Sequence, residues 1–314
     1  MEVSRKYFAA VGGGLSLLGA VVAAPVAAAA TGPTLAVYFS AHPDDFVLFS
    51  LPYRDVVADN TKAVFIFTTA GDGGAGVQPL SDNPPYPPLT TNPYYLAREN
   101  AAMRSIRFMA DAARPWPEKA TTSTATVNGH KLYKYAYRST VAYFLRLPDG
   151  NGDGNGFPGT GNTSLQKLYT GGVASLKAID NSTTYKGWTD LLNTVTAIVR
   201  SEAAGFPAVG LNANDIDMTQ NVGDHSDHYA TGMLATGVKG LLPCVSVTYY
   251  VGYSLGNVTN LNQEDTRNKT GSFASFASGL NENGYFGAWN GDHKVWLNGI
   301  LSRTVAGNGS ACPY

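Results

Sequence analysis

Three of the five histidines in this 314-residue chain fall in two short acidic segments, Ser40-Ala41-His42-Pro43-Asp44-Asp45 and Asp224-His225-Ser226-Asp227-His228. Imidazole and carboxylate are the donors that hydrolytic zinc sites use, commonly with the last coordination position left to water. His42, Asp45 and His228 supply such a set. Asp44 adjoins a ligand but is aimed differently by the turn, which makes it the candidate base for the proton of an attacking water. His225 lies one helical turn before His228, close enough to face the same cavity and to donate to a tetrahedral oxyanion. Each segment alone also admits a plainer reading: a turn with capping carboxylates at His42 to Asp45, and an N-cap followed by surface histidines at Asp224 to His228.

These groups work together only if the fold joins segments far apart in sequence. Leu35-Ala36-Val37-Tyr38-Phe39 is an apolar β-prone run without alternation, which fits a strand covered on both faces, and Ala63 to Phe67 is a second. Phe46 to Val57 reads as a connecting helix, so strand, loop, helix and strand open a parallel α/β sheet. The His42 segment then sits at the carboxyl edge of the first strand, where open α/β sheets bind ligands. Pro43 stiffens that turn and biases His42 toward extended backbone.

Further along, Gly71 to Pro88 reads as a long irregular loop, and Pro93 to Ala113 as an amphipathic helix with Asn92 at its N-cap. Val141 to Leu147 reads as a strand, Thr189 to Ala204 as a helix, Ala208 to Leu211 as a short strand and His225 to Lys239 as a helix; Ser246 to Tyr253 is β-prone. Neither an internal repeat nor a linker divides the chain, so residues 31–314 read as a single α/β domain with a Rossmann-like, mostly parallel sheet. The stretch from about residue 255 to residue 314 is rich in Asn, Gly and aromatic residues and is expected to be an irregular or β-rich extension, with extra strands under a Cys244–Cys312 link.

The pattern resembles the zinc-dependent de-N-acetylases typified by PIG-L and LmbE-like proteins, whose hallmark is Ala-His-Pro-Asp-Asp after the first strand and a distant His-x-x-His. Here these are Ala41-His42-Pro43-Asp44-Asp45 and His225-Ser226-Asp227-His228. The resemblance extends to Thr68-Thr69-Ala70-Gly71-Asp72-Gly73-Gly74 and Arg98-Glu99, so it spans roughly Leu35 to Tyr253. It implies an LmbE-type sheet, Zn2+ on His42, Asp45 and His228, Asp44 as general base, and His225 stabilising the oxyanion or assisting the leaving amine. By the same resemblance Asp227 holds His225 in its working orientation and charge state. The implied reaction is removal of an N-acetyl group from an N-acetylated amino sugar by zinc-activated water. Two departures stand out: Phe46 replaces the Glu that many members carry after the aspartates, and Gly223-Asp224 replaces an aromatic or other polar group before the second histidine pair. Arg98 is either a surface partner of Glu99 or a substrate contact, and Asp72 is either a turn residue or a sugar contact.

Lys and Arg number 22 against 23 Asp and Glu, so no net field draws the molecule to nucleic acid or anionic lipid. The basic start at Arg5 and Lys6, the apolar run from Phe8 to Ala24 and the small residues Ala27 to Ala30 compose an export signal over residues 1–30, with Ser4-Arg5-Lys6-Tyr7-Phe8 similar to a twin-arginine motif. The expectation is a secreted protein with no stable membrane insertion once the signal is removed. The two cysteines, Cys244 and Cys312, then face an oxidising destination and are expected to pair, pinning the C-terminal tail. Asp149, Asn151 and Asp153 resemble half of a calcium loop, but Thr160 stands where a bidentate Glu belongs, so the stretch reads as a Gly-rich turn. His130 and His293 are read as surface or structural residues. Alternatives to the acetyl-specific enzyme are an amidase or deacylase for another N-acyl glycoconjugate or glycosylated natural product, and a secreted glycan-binding protein without catalysis. A nucleotide-binding protein lacks its glycine fingerprint after the first strand.

Overall fold

Strand β1 (Thr34–Ser40) is buried along nearly its whole length, and its neighbour β2 (Thr61–Thr69) is buried from Ala63 onward. That accounts for apolar runs without alternation, because both faces of these strands are covered. The computed structural model describes residues 32–80, 92–112, 114, 116–287 and 289–314. Residues 1–30, read as the export signal, and positions 81–88 of the Gly/Pro-rich loop lie outside them.

Among the described residues the remaining strands are β3 (Thr121–Val127), β4 (His130–Tyr137), β5 (Thr140–Leu147), β6 (Leu176–Lys177), β7 (Thr184–Tyr185), β8 (Ala208–Asn214), β9 (Ser246–Tyr250) and β10 (Ser302–Val305). The helices are α1 (Asp45–Leu48), α2 (Pro52–Val57), α3 (Tyr94–Ala112), α4 (Leu165–Thr170), α5 (Trp188–Glu202), α6 (Ser226–Leu241), α7 (Gln263–Glu282) and α8 (Gly291–Trp296). The central sheet has eight strands in the order β10-β9-β8-β1-β2-β5-β4-β3, and β6 pairs with β7 apart from it. From β9 through β5 every pairing is parallel, while β10, β4 and β3 join antiparallel at the two edges. The fold is therefore the mixed α/β, Rossmann-like sheet that the sequence leads one to expect.

Alternate residues of β1 feed two cores. Leu35, Val37 and Phe39 pack with Leu191, Val195 and Ile198 of α5 and Leu234 and Val238 of α6. Ala36 and Tyr38 face the other layer, with Ala97, Ala101 and Ile106 of α3 and Phe273, Phe276 and Leu280 of α7.

Two expectations need correction, and one hairpin adds to them. The connecting helix over Phe46 to Val57 is two helices, α1 and α2, separated at residues 49–51. Pro52 lacks the N–H that would continue the first and disfavours helical backbone at Leu51, which sits at φ −126°, ψ 60°. The hairpin β3–β4 was not anticipated, although Asn128 and Gly129 between its strands both have positive φ, the signature of a tight hairpin turn. The C-terminal section has irregular stretches but adds only one edge strand, β10, and its largest element is the helix α7. Phe273, Phe276, Ala277 and Leu280 form a stripe with helical spacing that α7 buries beside α3. The Cys244–Cys312 disulfide is formed, with Cα atoms 5.3 Å apart.

Candidate metal centre

The parallel core strands all end at one edge, and the chemistry is delivered there. β1 is followed by His42 to Asp45, β2 by Asp72, β5 by Asp149 and β9 by Tyr253, while the loop after β8 leads into His225 and α6. Because β1 lies between β2 and β8, strand order reverses between β1 and β8, and the two histidine segments flank that crevice.

His42, Asp45 and His228 converge, with one ligand atom from each lying within 4.8 Å of the others. His42 Nδ1 is 3.4 Å from Asp45 Oδ2, and His228 Nε2 is 3.1 Å from Asp45 Oδ1. Neighbouring donors on a tetrahedral zinc with bonds of about 2.0–2.1 Å are separated by about 3.4 Å, close to these two nitrogen–oxygen distances. Outer partners aim the same donors. The main-chain N–H of His42 donates to Asp45 Oδ2 (2.6 Å), and His228 places Nδ1 2.8 Å from Asp224 Oδ1, leaving Nε2 toward the centre. Asp224 in turn accepts from Asn221 Nδ2 and from the main-chain N–H of Tyr253. Burial pulls the pKa values of both imidazoles down, yet adjacent carboxylates (Asp45 for His42; Asp224 and Asp45 for His228) leave both well above the ordinary value. Burial works against ionised Asp45 too, but His228 and His42 hold its pKa well below the usual range. A buried set of this charge pattern suits a divalent cation, which replaces the protons between the donors.

Asp44 lies at the rim of the centre, ion-paired through Oδ1 to Arg98, which also donates to the Gly71 carbonyl (2.9 Å). The Oδ2 atom of Asp44 makes no hydrogen bond among the described residues. Arg98 is thereby committed to Asp44 and the Gly71 loop and acts on Asp44 directly; it is not a surface partner of Glu99, which binds Arg146 instead. His225 caps α6, its Nδ1 accepting the main-chain N–H of Asp227 at 3.1 Å. An accepting Nδ1 puts the proton on Nε2, which makes His225 a neutral donor toward the cavity. Its pKa is held down to about 3, by burial first and then by His42 and His228.

The Asp227 carboxylate serves His42 more closely than His225: Oδ2 lies 3.4 Å from His42 Nε2 and 3.8 Å from His225 Nδ1, and also accepts from Gly150 N (2.8 Å). The main chain of Asp227, not its carboxylate, holds His225. Asp72 does not reach the cavity; it is fully buried, with its oxygens accepting from the main-chain N–H groups of Asp149 and Gly76. In the stretch read as a Gly-rich turn, Asn151 and Asp153 bond to neighbouring Gly152 and Asn155, whereas Asp149 turns inward, 3.8 Å from His225 Nε2.

A cavity of about 150 Å3 opens above this group, lined by Asp44, Arg98 and Asp149 together with Phe49, Tyr253, His293 and Trp296. His293, read from sequence as a surface or structural residue, also lines this cavity. His130 is structural, bonded to Thr183 and Asp190. No sequence signal marked Tyr253 or Trp296, while Asp224 was visible in the second histidine segment but without a role.

No known family pattern and no curated protein sequence matches the chain. Among solved structures it is similar to N,N'-diacetylchitobiose deacetylase from Pyrococcus horikoshii (13% identity over 87% of this chain and 84% of that one, TM-score 0.45). It is also similar to A40926 pseudoaglycone deacetylase Dbv21 (14%, 79% and 81%, 0.38) and to the zinc-inhibited form of teicoplanin deacetylase Orf2 (16%, 78% and 83%, 0.35). At such identities and scores these likenesses carry no residue roles, and the functional reading rests on the geometry of His42, Asp45 and His228.

Proposed function

We propose that the chain is a zinc-dependent N-deacetylase acting on an N-acetylated amino sugar of the N-acetylglucosamine type, free or within a glycoconjugate. The observation that carries this reading is the meeting of His42 and Asp45 with His228, their ligand atoms within 4.8 Å of one another, beside a carboxylate and a neutral imidazole donor. Zinc held by these three residues would supply Lewis acidity, activating water and polarising the amide carbonyl.

The chain's own groups do the rest. Asp44, fixed through Oδ1 by Arg98, presents Oδ2 to take a proton from water as its oxygen adds to the amide carbon. His225 donates from Nε2 to the carbonyl oxygen as it gains charge. When the C–N bond breaks, the nitrogen takes the proton from Asp44 and leaves as an amine, with acetate as the other product. Asp227 orients His42 and Asp224 orients His228. Most residues lining the cavity are polar or charged, which favours a short acyl group over a long hydrocarbon chain. Secretion belongs to the same proposal: the disulfide suits an oxidising compartment, and among the described residues no helix is long and apolar enough to cross a membrane.

The test is zinc analysis of the purified protein together with acetate release from N-acetylglucosamine and its oligomers. Asp44→Asn is expected to keep zinc and to lose about 100- to 10,000-fold in kcat. A zinc-loaded wild type that releases no acetate, or an Asp44→Asn protein with full turnover, refutes the proposal.

A further inference from the structure

Tyr253, His293 and Trp296 bring to the cavity lining parts of the chain with no share in the metal centre's sequence motifs. Tyr253 is 41% exposed, and Trp296 lies against it with ring centroids 5.1 Å apart and planes 3° from parallel. The Trp296 carbonyl accepts from Lys269 Nζ at 2.8 Å, as does that of Gly299, so the end of α8 is tied to buried α7. On its other side, the main chain of Tyr253 donates to Asp224 Oδ1, the atom that also meets His228 Nδ1. The aromatic plane is therefore positioned relative to the metal ligands by a shared carboxylate and relative to the C-terminal section by a buried lysine.

His293, one turn before Trp296, completes the wall. Its Nδ1 is enclosed with no hydrogen-bond partner among the described residues. An enclosed N–H without an acceptor costs more than an enclosed lone pair, so the proton belongs on Nε2, leaving that nitrogen as a donor.

We infer that Tyr253, backed by Trp296, together with His293, forms a pyranose-binding subsite beside the metal centre. The aromatic plane takes the C–H face of a sugar ring, and His293 Nε2–H takes a ring substituent oxygen. An aromatic plane edged by polar donors suits a ligand that is apolar on its face and polar around its rim, which a sugar ring is and an acyl chain is not. The inference rests on the deacetylase reading for its substrate and adds the residues that select it.

Kinetics of zinc-loaded protein on N-acetylglucosamine oligomers, with zinc content measured for every variant, tests the subsite. Tyr253→Ala is expected to raise KM about 3- to 10-fold with kcat little changed, and Tyr253→Phe, which keeps the ring, to stay near wild type. His293→Ala is expected to raise KM likewise. An unchanged KM in Tyr253→Ala overturns the subsite, as does a Tyr253→Phe defect as large as that of Tyr253→Ala. A Tyr253→Ala defect that varies with acyl length, between N-acetyl and N-butanoyl forms of one sugar, overturns it in favour of an acyl slot. Quenching of tryptophan fluorescence by the same oligomers separates the two proposals. Saturable quenching that Tyr253→Ala weakens, in a wild type that releases no acetate, keeps the subsite and refutes the deacetylase; absence of both signals refutes both.

Discussion

Lys269 is 3% exposed and donates only to two main-chain carbonyls, so no carboxylate offsets the burial of its charge. Burial pushes its pKa down from 10.5 to about 7. In the unfolded chain the lysine regains its ordinary value. Between about pH 7 and 10.5 the unfolded state therefore binds a proton that the folded state does not, and stability must rise with pH across that window. At about 1.4 kcal/mol per pH unit, less the rounding near pH 7, the gain from pH 7 to pH 9 is about 2 kcal/mol. Lys269→Met removes the titration while keeping the length of the side chain. Urea unfolding of both proteins at pH 7, 8 and 9 isolates the effect, because every other titrating group cancels in the difference. The wild type should gain about 2 kcal/mol relative to Lys269→Met over that range. A difference that stays flat, or grows as pH falls, refutes the claim that Lys269 is buried without a counter-charge. The two carbonyls left without their donor in Lys269→Met displace the whole curve by a constant and do not alter its slope.

Other perturbations test separate parts of the structure. Asp224→Asn, which weakens the acceptor on His228 Nδ1, is expected to lower zinc affinity about 10- to 100-fold in competition with a chelator; unchanged affinity would deny Asp224 its orienting role. Replacing both Cys244 and Cys312 by Ser opens a link spanning 68 residues and should cost about 4 kcal/mol in chemical unfolding, whereas a loss below about 1 kcal/mol would show that the tail is held by packing alone. A Cβ at Gly150 would lie 2.4 Å from Asp227 Oδ1, so Gly150→Ala should displace that carboxylate from His42 and reduce zinc affinity while circular dichroism stays native; wild-type affinity would sever the link from Gly150 to the centre.

The core elements were readable because burial on both faces leaves a direct trace. Only continuous apolar runs survive in β1 and β2, and the helical spacing of α5 and α6 is equally plain. Where packing and local propensity disagree, the reading failed. Gly, Ser, Thr and Asn dominate α7 and mask its buried stripe of Phe273, Phe276, Ala277 and Leu280. The Asn128-Gly129 turn was legible and was missed.

The sequence alone determined which groups are available for catalysis, because imidazole and carboxylate are properties of residue type, and His42-Pro43-Asp44-Asp45 needs only a local turn after a strand. It also determined the parallel core, since hydrophobic period is local information. Only the tertiary structure decided which partner each group meets. Asp227 meets His42 more closely than His225, Arg98 meets Asp44 and not Glu99, Asp72 is used up by main-chain N–H groups, and His293 and Trp296 line the site from residues beyond the recognisable motifs. The physical reason is range: a side chain's chemistry travels with it along the chain, whereas distances of 3 to 4 Å between residues nearly two hundred positions apart, such as Asp45 and His228, exist only once the sheet has closed the gap.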